Sequence, residues 1–183
     1  MPWAPVLPIL TERLLLREHL PSDIDDMLEF HSDPEVVRFV PWPVSTREQV
    51  LESLEKRLHA GRVEKPGEWL ILAIVLHGKV IGEVLLKCRT VDEGELGYAL
   101  HAAYHGQGLA FEAARAMLRL GIEELGLRRV TAELDSRNTA SARLLERLGF
   151  TLHRSFEEEF KGEQTTVIVY EYLIDPELPT SAA

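Results

Sequence analysis

The chain has 183 residues, of which 45% are hydrophobic and 27% are charged, and its formal net charge is −10. These proportions are typical of a globular protein with one full-sized core. The acidic balance argues against a nucleic-acid binder, which would carry a basic patch, and against attachment to an anionic membrane surface. It favours a cationic partner such as an amine. We expect a single domain over residues 1–183, with its core at about 11–174.

The hydropathy pattern contains no apolar run near the roughly 20 residues of a transmembrane helix. Residues 1–5 lack the basic and then apolar segments of a signal peptide, so no leader is expected. Cys88 is the only cysteine, which excludes an internal disulfide, and its apolar neighbours are typical of a thiol in the core. Since disulfides mark oxidising compartments, we expect a cytoplasmic location.

The first third of the chain predicts one strand and two helices. Residues 11–18 are apolar with partial alternation, which is typical of a strand. Pro21 and the acidic residues after it open a helix, and a turn is expected around residues 33–35. Ser45 and Thr46 precede a second helix, whose apolar stripe is Val50, Leu51, Leu54 and Leu58.

The rest of the chain predicts a sheet crossed by two further helices. The predicted segments are strands at 69–76, 79–87, 95–101 and 130–134, helices at 109–125 and 140–148, and a closing hairpin of 150–160 with 165–174. The order β-α-α-β-β-β-α-β-α-β-β predicts one mixed α/β domain. Its middle strands are expected to be antiparallel, and its C-terminal half to contain a βαβ unit.

A glycine-rich loop stands directly before the long helix, where residues 105–110 read His-Gly-Gln-Gly-Leu-Ala. Glycine tolerates a positive φ and leaves no Cβ between the backbone and an approaching group. A helix N-terminus presents unpaired N–H groups and the positive end of the helix dipole. The loop is therefore a candidate site for a phosphate or pyrophosphate. A turn that only caps the helix is the alternative.

Two nucleotide-binding motifs fit this loop less well. A dinucleotide site would need a third glycine, a preceding apolar parallel strand and an acidic residue about 20 positions later. A Walker loop is excluded because no Gly-Lys-Ser/Thr follows. The hypothesis of an oxidoreductase that uses a nicotinamide cofactor is supported by the loop glycines alone.

Three stretches together resemble the GNAT acyl-CoA N-acyltransferases, and most closely the Rim-type branch of ribosomal-protein N-terminal acetyltransferases. They are residues 11–17 (Thr-Glu-Arg-Leu-Leu-Leu-Arg), the loop at 105–110, and residues 138–150, which begin Asn-Thr-Ala-Ser. The resemblance covers about residues 11–173. It implies a mixed, mostly antiparallel twisted sheet. The strands before and after the long helix would splay apart, so that acetyl-CoA can wedge between them.

The resemblance also implies which residues hold the acyl-CoA. The loop N–H groups would bind its pyrophosphate, and the strand before the loop would pair with the pantetheine amides and donate an N–H to the thioester oxygen. His105 departs from the family's usual Arg or Gln, and Gly97 predicts a bulge that opens the strand. The implied binding residues are Tyr98, Ala99, Leu100, His105, Gly106, Gln107, Gly108, Leu109, Ala110, Asn138 and Ser141, and no metal is implied.

Asn138 and Ser141 each have a structural alternative. Asn138 precedes a predicted helix and is a good N-cap, while in the family this position also contacts the pantetheine arm. Ser141 needs no function at a helix start. In the Rim-type branch, however, it would donate a proton to the departing CoA thiolate. Many relatives use a tyrosine seven residues after the asparagine, and here that position is Leu145.

The catalytic base has several candidates. Glu95 is the preferred base or water-positioning residue because it stands on the strand that enters the loop. Glu83 and Glu133, on neighbouring strands, are alternatives, and each could instead be a solvated carboxylate. His101 and His105 flank the loop, and histidine is the natural base near pH 7, but either could simply cap the loop or face solvent.

The sequence thus predicts an enzyme that moves an acetyl group from acetyl-CoA to a primary amine. The acceptor could be a protein N-terminus, a lysine or a small-molecule amine, and Phe39, Trp42 and Trp69 are candidates to line its site. The closing hairpin offers an edge for a homodimer. The alternative is a non-catalytic module that binds acyl-CoA and regulates a partner, a reading that Leu145 supports.

Overall fold

The computed structural model describes residues 4–174 and contains one eight-stranded sheet, in the order β1-β2-β3-β4-β5-β6-β8-β7. The strands are β1 (Ile9–Leu10), β2 (Leu15–Arg17), β3 (Trp69–Leu76), β4 (Lys79–Cys88), β5 (Glu93–Leu100), β6 (Arg129–Asp135), β7 (Thr151–Phe160) and β8 (Glu163–Leu173). The helices are α1 (Ile24–His31), α2 (Pro34–Val37), α3 (Arg47–Arg57), α4 (Leu109–Glu123) and α5 (Thr139–Arg147). The ends of the expected domain, residues 1–3 and 175–183, lie outside the described residues.

The predicted mixed α/β architecture is confirmed. Neighbouring strands run antiparallel except β5 and β6, which α4 joins as a parallel βαβ unit. The closing hairpin is present, and β8 rather than β7 pairs with β6. Strand β7 is therefore the edge of the sheet, and most of its side chains are exposed.

The N-terminal region differs from the prediction in three details. The expected strand at 11–18 is only Leu15–Arg17, and a two-residue strand, β1, pairs with it. The expected turn at 33–35 continues as α2. There the Asp33 carboxylate accepts a hydrogen bond from the Glu35 N–H at 2.9 Å, and Pro34 fills the first helical position. Capping residues and turn residues are the same chemical types, so the sequence alone could not separate the two outcomes.

Helices cover the sheet on both faces, which explains the unbroken apolar run of β3. One buried cluster contains Met117 of α4 together with Leu72 and Ile74. The other, on the opposite face, contains Phe30 of α1 and Leu54 of α3 together with Ala73 and Val75 of β3. Among residues 4–174, no helix is both long and apolar enough to cross a membrane.

The sheet opens between its two parallel strands. Strand β5 pairs with β6 only from Glu93 to Glu95, opposite Arg129 to Thr131. Beyond these residues β5 follows β4, and β6 follows β8, so the two strands diverge. This confirms the splay that the resemblance implied. The predicted bulge at Gly97 is wrong, because β4 and β5 keep continuous register past the Leu85–Gly97 pair.

Gly97 has a packing role instead. A Cβ on this residue would lie 2.8 Å from Leu85 Cδ1, so the missing side chain lets Leu85 fold across the strand. Strands β5 and β6 separate because their pairing ends after Glu95 and Thr131. Beyond that point β5 pairs with β4 alone, and β6 pairs with β8 alone.

Candidate active site

The diverging strands enclose a cavity of about 620 Å³. Its walls include both strands, the glycine loop and the first turns of α4 and α5. Ten of the eleven predicted acyl-CoA residues line it: Tyr98, Ala99, Leu100, His105, Gly106, Gly108, Leu109, Ala110, Asn138 and Ser141. Gln107 does not, because its amide turns away and donates to the Ala103 carbonyl at 3.2 Å.

The glycine loop presents backbone donors to one end of this cleft. Gly106 and Gly108 adopt φ values of +73° and +76°, in the left-handed region that glycine tolerates best. Gly108 is the N-cap of α4 and has no side chain to satisfy the helix start. The first helical hydrogen bond runs from the Glu112 N–H to the Gly108 carbonyl at 3.0 Å. The N–H groups of residues 109–111 therefore have no helical acceptor, which suits an anionic ligand.

The Thr11–Arg13 segment braces the loop from outside. Arg13 donates to the Gln107 carbonyl at 2.9 Å and to the Glu112 carboxylate at 2.7 Å, and the Thr11 hydroxyl donates to Glu112 at 2.6 Å. Burial tends to raise the pKa of Glu112, but these hydrogen bonds outweigh it and keep the pKa below its usual range. Arg13 thereby balances a negative charge in the turn that should bind an anion. The stretch at residues 11–17 thus holds the glycine loop at residues 105–110 in place.

A tight turn places the start of α5 on the opposite wall. The Asp135 carboxylate holds Arg137 at 2.7 Å and accepts the Thr165 hydroxyl at 2.8 Å. The Arg137 hydrogen bond lowers the pKa of Asp135 to about 2. Asn138 then caps α5, because its Oδ1 accepts the Ser141 N–H at 3.1 Å. The capping role is therefore present, and the amide N–H₂ group of the same side chain is left for a ligand.

Ser141 and Tyr98 meet across the cleft wall. The Tyr98 hydroxyl lies 2.6 Å from Ser141 Oγ, joining β5 to α5. Burial raises the pKa of Tyr98 to about 12, although the hydrogen bond to Ser141 acts in the other direction. Tyr98 is therefore a neutral phenol over the ordinary pH range. Leu145, at the position where many relatives have tyrosine, is buried in the core.

Of the three glutamates considered, two reach the cleft. Glu95 lines it and is ion-paired with Arg89. Glu133 lines it from an exposed position on β6. Glu83 lies outside the cleft lining, fully buried, with both carboxylate oxygens bound by the Arg57 guanidinium at 2.6 and 2.7 Å. Glu83 was an alternative for the base, but this buried, ion-paired position outside the cleft gives it a structural role instead.

The two loop histidines act mainly as braces. His101 Nδ1 accepts the Ala103 N–H at 3.1 Å and so caps the short turn before the loop. His105 Nε2 lies 2.8 Å from the Leu100 carbonyl. Because a carbonyl can only accept, this nitrogen carries the hydrogen, and the ring anchors the end of β5.

Comparison with known proteins identifies the fold and the family. Residues 13–151 match the acetyltransferase (GNAT) domain. The chain belongs to the GNAT acetyltransferase family. It is therefore an acyl-CoA N-acyltransferase, and the family resemblance of the sequence is confirmed.

The relatives of this GNAT chain span most of its length. It is 27% identical over 154 residues to the uncharacterized N-acetyltransferase YnaD of Bacillus subtilis, covering 82% of this chain and 86% of the relative. A GNAT acetyltransferase structure from Bacillus anthracis superposes with a TM-score of 0.81 at 26% identity, covering 91% and 98% of the two chains. RimL, a ribosomal L7/L12 α-N-protein acetyltransferase solved with coenzyme A, gives a TM-score of 0.79 at 20% identity, covering 92% and 98%. This last likeness shows the shared fold.

The opposite side of the GNAT cleft is built from aromatic residues of separate elements. Phe39, Trp42 and Trp69, the candidates that the sequence offers for the acceptor site, all line this cleft. The Trp42 indole stacks on His31, with ring centroids 5.0 Å apart and planes at 22°. Lys161, at the tip of the β7–β8 hairpin, donates to the Trp42 carbonyl at 2.7 Å. The hairpin therefore fixes the loop that carries this indole.

A buried charged cluster supports this side, and the sequence analysis missed most of it. His19, His31 and Arg57 surround Glu83, with the two imidazoles each 3.9 Å from its carboxylate. Burial tends to raise the pKa of Glu83, but the Arg57 charge and the two hydrogen bonds from its guanidinium outweigh it and hold that pKa well below its usual range. These residues come from α1, α3, β4 and the loop after β2, so no local motif could have revealed them.

Proposed function

We propose that this enzyme transfers the acetyl group of acetyl-CoA to a primary amine. The observation that carries the proposal is the cleft between β5 and β6, with free helix N–H groups at one end and the Tyr98–Ser141 pair on its wall. The cavity is large enough for the pantetheine arm, and the left-handed glycines admit a close-lying pyrophosphate. The proposed acyl-CoA residues are Tyr98, Ala99, Leu100, His105, Gly106, Gln107, Gly108, Leu109, Ala110, Asn138 and Ser141.

The reaction requires a neutral amine and a protonated leaving group. The amine nitrogen attacks the thioester carbonyl carbon, a C–N bond forms, and the C–S bond breaks. The nitrogen loses a proton, and the CoA thiolate gains one. At pH 7, neutralising a lysine amine costs about 4.6 kcal/mol, whereas an α-amine costs about 1.4 kcal/mol. An α-amine or another weakly basic amine therefore demands less of the enzyme.

Ser141 is the proposed proton donor to the thiolate, and Tyr98 directs it. Because burial keeps Tyr98 protonated, its O–H can donate to Ser141 Oγ across their 2.6 Å contact. The hydrogen of Ser141 is then free to point into the cleft. A thiolate with a pKa of about 8.5 needs little help at neutral pH, so the contribution is modest.

Glu95 is the proposed base or water-positioning residue. It lies on β5 and lines the cleft, as a carboxylate that accepts a proton from the amine must do. One of its carboxylate oxygens, Oε2, is already occupied by the Arg89 guanidinium. This favours Glu95 as a residue that orients a water molecule or the ammonium group. Glu133 is the alternative on the facing strand.

The proposal is tested by mass spectrometry of acetyl transfer. Acetyl-CoA is offered with peptides bearing a free N-terminus, lysine peptides, polyamines and arylalkylamines. An acetylated amine is the expected product. Absence of transfer to every amine, with CoA still raising the Tm, would instead favour the non-catalytic acyl-CoA module.

The Ser141→Ala variant tests the acid. We expect kcat to fall about tenfold while the Kd for acetyl-CoA stays within about twofold, because one neutral hydrogen bond contributes about 1 kcal/mol. Ser155→Ala, on exposed strand β7, is the matched control. An unchanged kcat in Ser141→Ala would remove the acid role. A Glu95→Gln variant with the wild-type pH–rate profile would likewise remove Glu95 as the base.

A further inference from the structure

A second cavity of about 620 Å³ opens on the sheet face opposite α4. It adjoins the cleft, and Pro41, Trp42, Trp69 and Leu85, which line both cavities, form the boundary that we call the neck. Strand register sets the floor of this second cavity. Ile71 pairs with Leu85, Leu85 pairs with Gly97, and the Leu85 side chain folds over that glycine. An amine held in the cleft could therefore place the rest of its molecule through this neck.

The neck is aromatic, and both of its indoles are packed against neighbouring side chains. His31 supports the Trp42 ring, and the Lys161 ammonium holds the Trp42 carbonyl. The Lys87 ammonium lies 4.6 Å from the centroid of the Trp69 ring. Aromatic rings prefer offset-stacked or edge-to-face partners, and indoles fixed by their neighbours favour a planar ligand group.

The charges around the cavity disfavour a polycation. Lys56, Arg57 and Arg62 line it, and Lys87 lies against Trp69. Its lining contains two carboxylates, and one of them is paired with a cation. Glu64 pairs with Arg62 at 3.2 Å, and Glu68 accepts the backbone N–H of Glu64 at 2.7 Å.

Arg57 is balanced by the buried Glu83 below it. Lys56 is exposed and forms no ion pair within residues 4–174, so its positive charge is uncompensated. Within residues 4–174, Lys56 and Lys87 form no ion pair and outnumber Glu68, the one lining carboxylate without a cationic partner. A second ammonium group in this cavity would therefore meet an excess of positive charge.

We propose that the acceptor is a primary amine attached to an aromatic or heteroaromatic ring that carries no further positive charge. The ring occupies the second cavity beside Trp42 and Trp69, and the amine reaches the cleft near Glu95. This inference rests on the proposed acetyl transfer and adds the class of acceptor to it.

The experiment compares 2-phenylethylamine, n-hexylamine and spermidine as acceptors for acetyl-CoA. We expect the highest kcat/KM for 2-phenylethylamine and the lowest for spermidine. Trp42→Leu and Trp69→Leu should raise the KM for 2-phenylethylamine about tenfold, with less than about a twofold change for hexylamine. Leu152→Ala, at an exposed position of β7, controls for the handling of variants.

Charge is tested with a matched pair of variants. Lys56→Glu should raise kcat/KM for spermidine about fivefold, because it removes the uncompensated cation. Arg115→Glu makes the same charge change at an exposed position on α4 and should leave it unaltered. Equal gains in both variants would show a net-charge effect and contradict a local role for Lys56.

Direct binding separates failure of this inference from failure of acetyl transfer. Calorimetric titration of 2-phenylethylamine into the enzyme saturated with CoA measures the second cavity without turnover. Binding that is weakened in Trp42→Leu supports the aromatic class, even if no amine is acetylated. Efficient acetylation of spermidine or lysine peptides, with no effect of either tryptophan substitution, would overturn the inference and leave the acetyltransferase intact.

Discussion

The two sides of the splayed strands are built by different means. The proposed donor side uses the backbone: left-handed glycines, helix N–H groups and a strand edge. The proposed acceptor side uses side chains from distant elements. Of its two indoles, Trp42 stacks on His31 of the buried network around Glu83, and Trp69 lies against Lys87. Backbone recognition of a constant ligand leaves a short motif in the sequence. Side-chain recognition of a variable ligand is dispersed along the chain.

The largest expected effect is on the acceptor side. Arg57→Met leaves the fully buried Glu83 carboxylate without its guanidinium and should lower the free energy of unfolding by about 3–5 kcal/mol. Urea denaturation measures the change. The Arg57→Met/Glu83→Leu double variant should recover most of the loss, because it removes both charges. Arg62→Met, in the exposed pair with Glu64, should cost less than about 1 kcal/mol. Equal costs for the two arginines would refute the contrast.

The same network should make stability depend on pH through His19. Burial lowers the pKa of His19 to about 4, while Glu83 opposes this and Arg57 reinforces it. Asp23 and Arg17 also face this ring and act in opposite directions. In the unfolded chain the same group titrates near 6.5, so the unfolded state binds more protons between these values. Acidification is therefore expected to destabilise the fold.

The stability that neutral His19 supplies is complete above about pH 6.5. It falls by about 3 kcal/mol as the pH drops through the window to about 4. His19→Gln should flatten this part of a plot of unfolding free energy against pH. His59→Gln, at an exposed position, should preserve it. Identical plots for wild type and His19→Gln would show that His19 does not sense the pH.

On the proposed donor side, Gly108→Ala should weaken acetyl-CoA binding as well as lower the stability of the fold. Its φ of +76° makes a side chain unfavourable by about 1–2 kcal/mol. Relaxation of that strain would move the N-terminus of α4, and we expect the Kd for acetyl-CoA to rise about tenfold. Gly126→Ala has a comparable φ of +70° with open space around it. It should lose similar stability and keep its Kd, whereas parallel losses of affinity would deny the loop a specific role.

The smallest expected effect is that of Tyr98→Phe. Removing one hydroxyl deletes the contact with Ser141 and should lower kcat about fivefold, with little change in the KM for acetyl-CoA. Combined with Ser141→Ala, it should cost almost nothing further, because the two groups act as one unit. Additive losses in a double-mutant cycle would mean that Tyr98 acts independently of Ser141.

The fold was largely readable from the sequence because its patterns are local. Periodicity predicted the main strands and helices, and the glycine loop marked the start of α4. Sequence patterns could not decide between a turn and α2, since proline and aspartate serve both. The bulge expected at Gly97 was wrong for a related reason. The sequence shows that a side chain is missing there, but only the structure shows that Leu85 of the neighbouring strand fills the space.

By itself, the sequence determined the family, the donor loop and the residues proposed to hold acyl-CoA, because these lie in short segments whose backbone conformation follows from local composition. Tertiary structure alone decided which polar groups meet. It removed Glu83 from the cleft, paired Tyr98 with Ser141, and brought Trp42 and Trp69 to a common neck. Ion pairing, burial and pKa depend on distances across the fold, and sequence separation does not encode these distances.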